Sequence, residues 1–395
     1  MTRNDIVDAA FRVWGQELYK NTSLSKLAKA LGVSKAALYR HFSDKNALFK
    51  AMDNRFFDSY AESLKPELEK VAAAENKREK LLGMTRATTK YFAGNFPFFI
   101  FSFFTWNKLN RPGLRLSHFL EELEKRGVSF PFLNKKNLPF PKSQYPSVVF
   151  LAGTTSLFGP KLFYKKCRSP EVPLTEEELE LCVNSTVEKV WHGLCFDKEL
   201  IDRVPFEKLE NLAVSEFPES DPLLKAVAKA VADAGAWNAS METVARLSGL
   251  SKSGLYAHFT SKRDMLSRLF MTEFERIAGI AKACSGLSPR WEERLYLVIF
   301  SIAAYLKSRP EILVAMDWVC VQRLELDISL PFRLFDFFSG INIGSGLGSE
   351  DISQWVFLLL GMVLMRYYHT ENDLNLPRRA LRKTFRFITL GIEGF

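Results

Sequence analysis

SLSKLAKALGVSKAALYRHFSDK, from Ser23 to Lys45, returns 217 residues later as SMETVARLSGLSKSGLYAHFTSK, from Ser240 to Lys262. Leu24, Leu27, Ala28 and Leu31 fall at i, i+3, i+4 and i+7, so one face of a short helix is apolar. Met241, Val244 and Ala245 repeat that face, with Ser248 in the fourth place. Gly32 and Gly249 stand where the helix must stop and turn, a backbone position that glycine tolerates because it lacks a Cβ. Ser34 and Ser251 follow as N-caps, their side chains accepting from otherwise unpaired backbone N–H groups. A further helix therefore begins at Lys35 and at Lys252, and each copy reads as a helix-turn-helix.

On that second helix Leu38 and Phe42, four apart, point inward. At about 100° per residue Ala36 and Arg40 then point outward, flanked by Ala37 and Tyr39. The equivalent outward set in the second copy is Ser253 and Ala257, flanked by Gly254 and Tyr256. A helix small at its start and polar along its free face fits the width of the major groove of duplex DNA.

The pattern resembles the TetR/AcrR-like transcriptional regulators. The matching stretch runs from Ile6 to about Leu64, through IVDAAFRVW, Tyr19, Thr22-Ser23, LAKALGVSKAALYRHF and Lys45 to Leu48. In the second copy it runs from Asp221 to about Ala283, through LLKAVAKAVADAG, SMETVARLSGLSKSGLYAHF and KRDML. Without gaps, residues 22–45 match 239–262 at ten of 24 positions, and the identities fall on the turn glycine, the cap and the Leu-Tyr-x-His-Phe run. The resemblance implies an all-α chain of two tandem halves. Each half has a three-helix helix-turn-helix module, a long fourth helix and a helical effector/dimerisation domain. It also implies that Tyr39, His41 and Lys45 contact phosphates, as do Tyr256, His258 and Lys262. With the outward residues and the caps, the expected DNA-facing set is Thr22, Ser23, Lys26, Lys35, Ala36, Ala37, Tyr39, Arg40, His41 and Lys45 in the first copy. In the second it is Ser240, Lys252, Ser253, Gly254, Tyr256, His258 and Lys262. The second copy departs from the pattern at Ala257, opposite Arg40, and at Ala236, where an aromatic is usual.

Family members pair through helices of the C-terminal domain. The resemblance therefore implies that 148–164 and 176–196 meet 351–369 and 377–394 within one molecule, as a monomer acting as a pseudo-dimer; the alternative is a homodimer of the tandem chain. The expected division is 1–66 and 221–285 for the two DNA-binding modules, 67–196 and 286–395 for the two effector/dimerisation domains, and 197–220 for the linker between halves. Pro66 is expected to end the long fourth helix of the first copy, because proline cannot continue a helix interior. Asp221-Pro222 restarts the chain as an N-cap followed by proline at the first helical position. No regular structure can be assigned from Asn107 to Pro146, and a glycine-rich loop occupies 339–349.

The family commonly senses small molecules in its C-terminal domain. Tyr91, Phe92, Phe96, Phe98, Phe99, Phe101, Phe103, Phe104 and Trp106 crowd the first such domain. They read either as plain core or as the lining for a small apolar or aromatic effector. Phe99, Phe103, Trp106, Trp318 and Phe338 are the candidate pocket residues.

Composition narrows the function classes. The net charge of +9 and the isoelectric point near 9.2 favour an anionic partner. Residues 20–50 carry seven Lys/Arg against one acid, net +6, whereas 237–267 carry four against two, net +2, so the first copy is expected to hold phosphates more strongly. The five cysteines show no metal or disulfide-framework spacing and are expected to be free thiols in a reducing cytoplasm. No cofactor or metal ligand set and no catalytic residue is expected: the chain has no HExxH, Gly-x-Ser-x-Gly or Walker loop. Tyr91 to Asn107 is uncharged but is broken by Asn95 and Pro97, so no membrane span is expected. The resulting expectation is a cytoplasmic, ligand-responsive repressor reading two unlike half-sites. The alternative is a sensor or interaction scaffold in which one or both modules no longer bind DNA.

Overall fold

A computed structural model describes residues 2–16, 24–99, 101–102, 121–128, 172–194, 197–213, 216–234, 239–315, 356, 359–361, 364 and 378–394. Every regular element among them is helical, as the all-α expectation requires. The chain forms two compact units, Met1–Val190 and Trp191–Phe395. Among the described residues no helix is long and apolar enough to cross a membrane.

The first unit opens with α1 (Arg3–Gln16), α2 (Leu24–Ala30), α3 (Lys35–His41) and α4 (Lys45–Ala73), followed by α5 (Lys77–Gly94); α6 (Glu176–His192) ends two residues past its boundary at Val190. The apolar faces read from sequence close the three-helix core: Ile6, Val7, Ala10, Phe11, Leu27, Ala28, Leu38 and Phe42 are all buried. Pro66 does not end α4, which continues to Ala73. Both Pro66 and Glu62, whose carbonyl loses its helical partner, face solvent, so water can satisfy the freed oxygen. The buried stripe of Phe56, Phe57, Tyr60, Leu64, Leu68 and Val71 holds the helix on α5 on both sides of the proline. Gly83 on α5 faces Val71 so closely that a Cβ would strike its Cγ2. A bidentate Arg86–Glu180 pair at 2.6 and 2.8 Å, and an Arg78–Glu188 pair, fasten α6 to α5.

The aromatic run is core where it is described. Phe11 of α1 meets Phe98 and Phe101 with ring centroids 4.1 and 5.0 Å apart, and Phe49 of α4 lies 5.4 Å from Phe101. Phe56 stacks on Tyr60 at 5.5 Å and Phe92 on Phe99 edge-to-face at 5.4 Å. Such pairs add about 0.5–1.5 kcal/mol each beyond the burial of their area. Part of the 107–146 stretch is also ordered: Arg126 donates to Asp58 at 2.6 Å and lies over the Phe57 ring, while Leu123 and Val128 are buried.

The second unit contains α7 (Lys198–Asp202), α8 (Phe206–Leu212), α9 (Pro222–Ala234), α10 (Met241–Ser248), α11 (Lys252–His258), α12 (Lys262–Ser285), α13 (Trp291–Ser308) and α14 (Arg378–Leu390). The stretch read as the linker, 197–220, thus holds two short helices, and the second of them is built into the core. Glu210 of α8, with a fully buried side chain, accepts from Tyr296 Oη of α13 at 2.7 Å and from Arg382 Nε and Nη2 of α14 at 2.8 and 3.1 Å. Phe206 packs edge-to-face on Tyr296 and Phe385 beside it. Asp221 caps α9 as expected, its Oδ1 accepting from Leu223 N at 2.7 Å, with Pro222 in the first helical position.

Trp191 to Leu194 lie against the C-terminal end of α14. Leu194 N donates to Ile388 O at 2.9 Å and Glu393 N to Trp191 O at 3.0 Å. Gly193 and Gly391 both have φ +61 and face each other, and a Cβ on Gly193 would lie 2.5 Å from Gly391 N.

Two predictions follow from this unit. Burial alone would raise the Glu210 carboxyl, but the hydrogen bonds from Arg382 and Tyr296 and the nearby guanidinium charges outweigh it and hold the group below its ordinary 4.5. A carboxylate depressed on folding contributes stability that is present above its unfolded pKa and is lost as pH falls through the folded one. Denaturant titrations should therefore show unit two weakening below about pH 4.5. Glu210→Gln should be less stable by about 3 kcal/mol at pH 7 and should lose less on acidification; equal acid slopes would contradict the assignment. Gly193→Ala should lower thermal stability by more than the roughly 1–2 kcal/mol that the left-handed conformation alone costs. Gly249→Ala, where nothing lies within 4 Å of the added carbon, should show only that smaller loss.

Candidate nucleic-acid interface

The two heads are built by the same local devices at positions 217 apart. Gly32 has φ +65 and Gly249 φ +71, so each first helix ends in a left-handed residue that a side chain would strain. Ser34 Oγ accepts from Ala37 N at 3.0 Å, and Ser251 Oγ from Gly254 N at 3.0 Å. Both second helices then span seven residues, Lys35–His41 and Lys252–His258. Asp44 Oδ1 accepts from Ala47 N at 2.8 Å and Ser261 Oγ from Asp264 N at 3.1 Å, starting the long helices α4 and α12. Ser248, standing where the first copy has Leu31, turns its hydroxyl back onto Val244 O at 2.8 Å, so a polar residue is accommodated at that place.

Leu38 and Leu255 are fully buried, and Phe42 and Phe259 nearly so. The opposite face is open: Lys35, Ala36, Tyr39, Arg40 and His41 are exposed, as are Lys252, Ser253, Tyr256, Ala257 and His258. Ala37 and Gly254 sit half-buried on its flank. Tyr39 is 45% exposed and Tyr256 50%, the aromatic rings standing in solvent at the same point of both heads. Lys35 Nζ lies 5.8 Å from the centroid of the Tyr39 ring, a cation–π distance that keeps ammonium and phenol together. Lys45 and Lys262 are half-buried at the starts of α4 and α12, and burial lowers the Lys45 ammonium from its usual range.

Ser240 is exposed and its hydroxyl is engaged as the cap of α10, accepting from Thr243 N at 3.1 Å. Thr22, Ser23 and Ala236 lie outside the described residues, as does the side chain of Lys26. Of the candidate pocket residues, Phe99 is fully buried between Phe92 and Phe96. Phe103, Trp106, Trp318 and Phe338 lie outside the described residues, together with 148–164, the loop at 339–349 and most of 351–369. Among the described residues no group of His, Cys, Asp and Glu has the arrangement of a metal site.

Arg3 and Arg268 were missed by the sequence reading. The Arg3 guanidinium lies 5.1 Å from the Phe42 ring centroid, and that of Arg268 lies 5.6 Å from the Phe259 ring. Each covers the outer edge of its head's core from a different helix, so no spacing within the repeat could have revealed the pair.

Comparison with known proteins gives both heads the same family. The family described as "Bacterial regulatory proteins, tetR family" matches residues 6–52 and again 223–269. The HTH-type transcriptional regulator AcrR of Shigella flexneri is 48% identical over 48 residues, which are 12% of this chain and 22% of that protein. The HTH-type transcriptional repressor Rv1474c of Mycobacterium tuberculosis is 32% identical over 84 residues, 21% of this chain and 38% of that protein. The chain thus spans well under half the length of these curated relatives. The fatty acid degradation regulator FadR of Bacillus halodurans shares 17% identity over 45% of this chain and 97% of its own, with a TM-score of 0.35, a likeness too loose to carry an argument. The chain carries two tetR-family regulatory domains in tandem, one in each compact unit.

Proposed function

We propose that the chain is a DNA-binding transcriptional regulator, a repressor by the habit of its family, acting as a single-chain pseudo-dimer whose two heads read two unlike half-sites. The observation that carries the reading is the pair Tyr39 and Tyr256. Of the ten identities between the heads, Ala28/Ala245, Leu38/Leu255 and Phe42/Phe259 are buried core, Gly32/Gly249 make the turns and Ser34/Ser251 the caps. An aromatic ring about half in water serves none of these purposes. Its hydroxyl, flanked by Lys35 and His41 or by Lys252 and His258, suits a phosphate oxygen.

The unlike half-sites rest on the residues between those anchors. Ala36, Ala37 and Arg40 in the first head stand opposite Ser253, Gly254 and Ala257 in the second. Arg40 can pair with guanine O6 and N7, whereas Ala257 offers only a methyl group. A second reading, in which the second head is a scaffold, is favoured by that same Ala257 and by the lower net charge of the second window. Release by a small apolar or aromatic effector belongs to the proposal as well. It is supported by Thr85 Oγ1 on α5, a buried hydroxyl with no partner among the described residues.

Selection of bound duplexes from a random pool tests these points. Two unlike half-sites about one helical turn apart, roughly 34 Å centre to centre, are expected. A perfect palindrome contradicts the reading, and a single half-site assigns the second head to scaffold. Arg40→Ala should weaken binding by about 1–3 kcal/mol and relax base choice in one half only.

A further inference from the structure

The joints between each head and the helices behind it differ in kind, and the internal repeat shows where. Phe56 of α4, fully buried in the aromatic core, is replaced 217 residues later by Glu273 of α12. Tyr91, at the end of α5, has its counterpart in Tyr305, at the end of α13, since each is followed five or six residues later by a proline in the first two positions of the next helical segment. In the first unit the Tyr91 hydroxyl donates to Ser59 Oγ at 3.1 Å and its ring lies against those of Tyr60 and Phe92, while the Tyr60 hydroxyl donates to Thr88 Oγ1 at 3.2 Å. In the second unit the Tyr305 hydroxyl donates to the Glu273 carboxylate, which is 1% exposed and also receives Arg276 Nη1 at 3.0 Å. Arg309, itself 7% exposed, donates through Nη1 to Tyr305 Oη at 2.7 Å and through Nη2 to the carbonyl of Pro218. Its guanidinium lies 4.7 Å from the Tyr305 ring centroid. Burial first, and Glu273 second, push the Tyr305 phenol up to about 12.

The ends of this chain of contacts give it a purpose. Pro218 lies three residues before Asp221, the cap of α9, where the second head begins; Glu273 lies on α12, where the head ends. One neighbouring pair on and just after α13, Tyr305 and Arg309, therefore grips both ends of the head. The head keeps its own core of Val227, Val231, Val244, Leu255, Phe259 and Met265, none of which takes part in the grip.

We propose that the Tyr305–Arg309 pair is a polar latch that holds the second head on the helices behind it and lets that head loosen as a unit, whereas the matching place in the first head is filled by ring packing and neutral hydroxyl pairs. Hydrogen bonds are directional and fail over a short displacement, so a latch of this kind is either made or broken. Ring packing yields gradually, and the first head has the Phe56 ring where the second has the buried Glu273 carboxylate. The latch concerns how the head is held; its consequence for DNA, independent release of one half-site, rests on the function proposed above.

Hydrogen exchange on the full-length chain tests the latch without DNA. Tyr305→Phe removes one hydroxyl and leaves the ring. It should speed exchange about tenfold or more at 217–228 and along α12 near Glu273, with α1 and α3 unchanged and the global melting midpoint nearly so. Arg309→Gln should give the same pattern, strongest next to Pro218. Unchanged exchange at both ends of the head overturns the proposal, as does equal loosening of both heads or a melting midpoint that falls in step with exchange. If the latch variants behave as expected and no duplex is bound at any salt concentration, the latch stands and the regulatory reading fails.

Discussion

Each reading head depends on one backbone event, the left-handed turn at Gly32 and at Gly249 followed two residues later by a serine cap. The turn ends the first short helix and the cap starts the second, so the angle between two helices of seven or eight residues is set by a single glycine and a single hydroxyl. Helices this short are not stable alone in water. They persist because Leu38 and Phe42, or Leu255 and Phe259, close a core that the turn brings within reach. With that geometry fixed, the opposite face stands in solvent, and whatever side chains it carries, here tyrosine, lysine and histidine, are exposed.

Behind the heads the two halves use different chemistry for the same mechanical task. The first packs Phe11, Phe49, Phe56, Phe98 and Phe101 into a continuous aromatic joint between α1, α4 and the helical residues that follow α5. The second puts a buried carboxylate at the matching place, partnered by a phenol and one guanidinium group, with a second guanidinium donating to the phenol. A second buried carboxylate, Glu210, ties the connecting segment into its own unit. Buried charges of this kind are expensive unless fully partnered, and they specify one arrangement rather than many. The two heads share one fold and are held by joints of different chemistry.

The local architecture of the heads was legible in the sequence because every device in it is short-range: a period of 3.6, a glycine, a cap. The helix starts at Lys35, Lys252 and Pro222 follow from such signals. Pro66 misled because proline's cost depends on which side of the helix it occupies, and the exposed side of α4 leaves the freed carbonyl to water. The stretch 197–220 misled for a related reason. Its prolines suggest a tether, while the residue that gives it structure, Glu210, acts through Tyr296 and Arg382, 86 and 172 residues away. The contrast between Phe56 and Glu273 was visible as letters, but a glutamate on a long helix reads as solvated surface until its burial is known.

The central claim is that the repeated exposed residues of the two heads exist to meet phosphates. Duplex affinity of the full-length chain, measured as a function of salt, tests it most directly. Four cations on or beside the reading helices, Lys35, Lys45, Lys252 and Lys262, with Arg40 given to bases, should give a log–log slope of about −4, less steep by about one with Lys35→Ala. An affinity that does not change with salt, or a slope untouched by removing these side chains, would contradict the account.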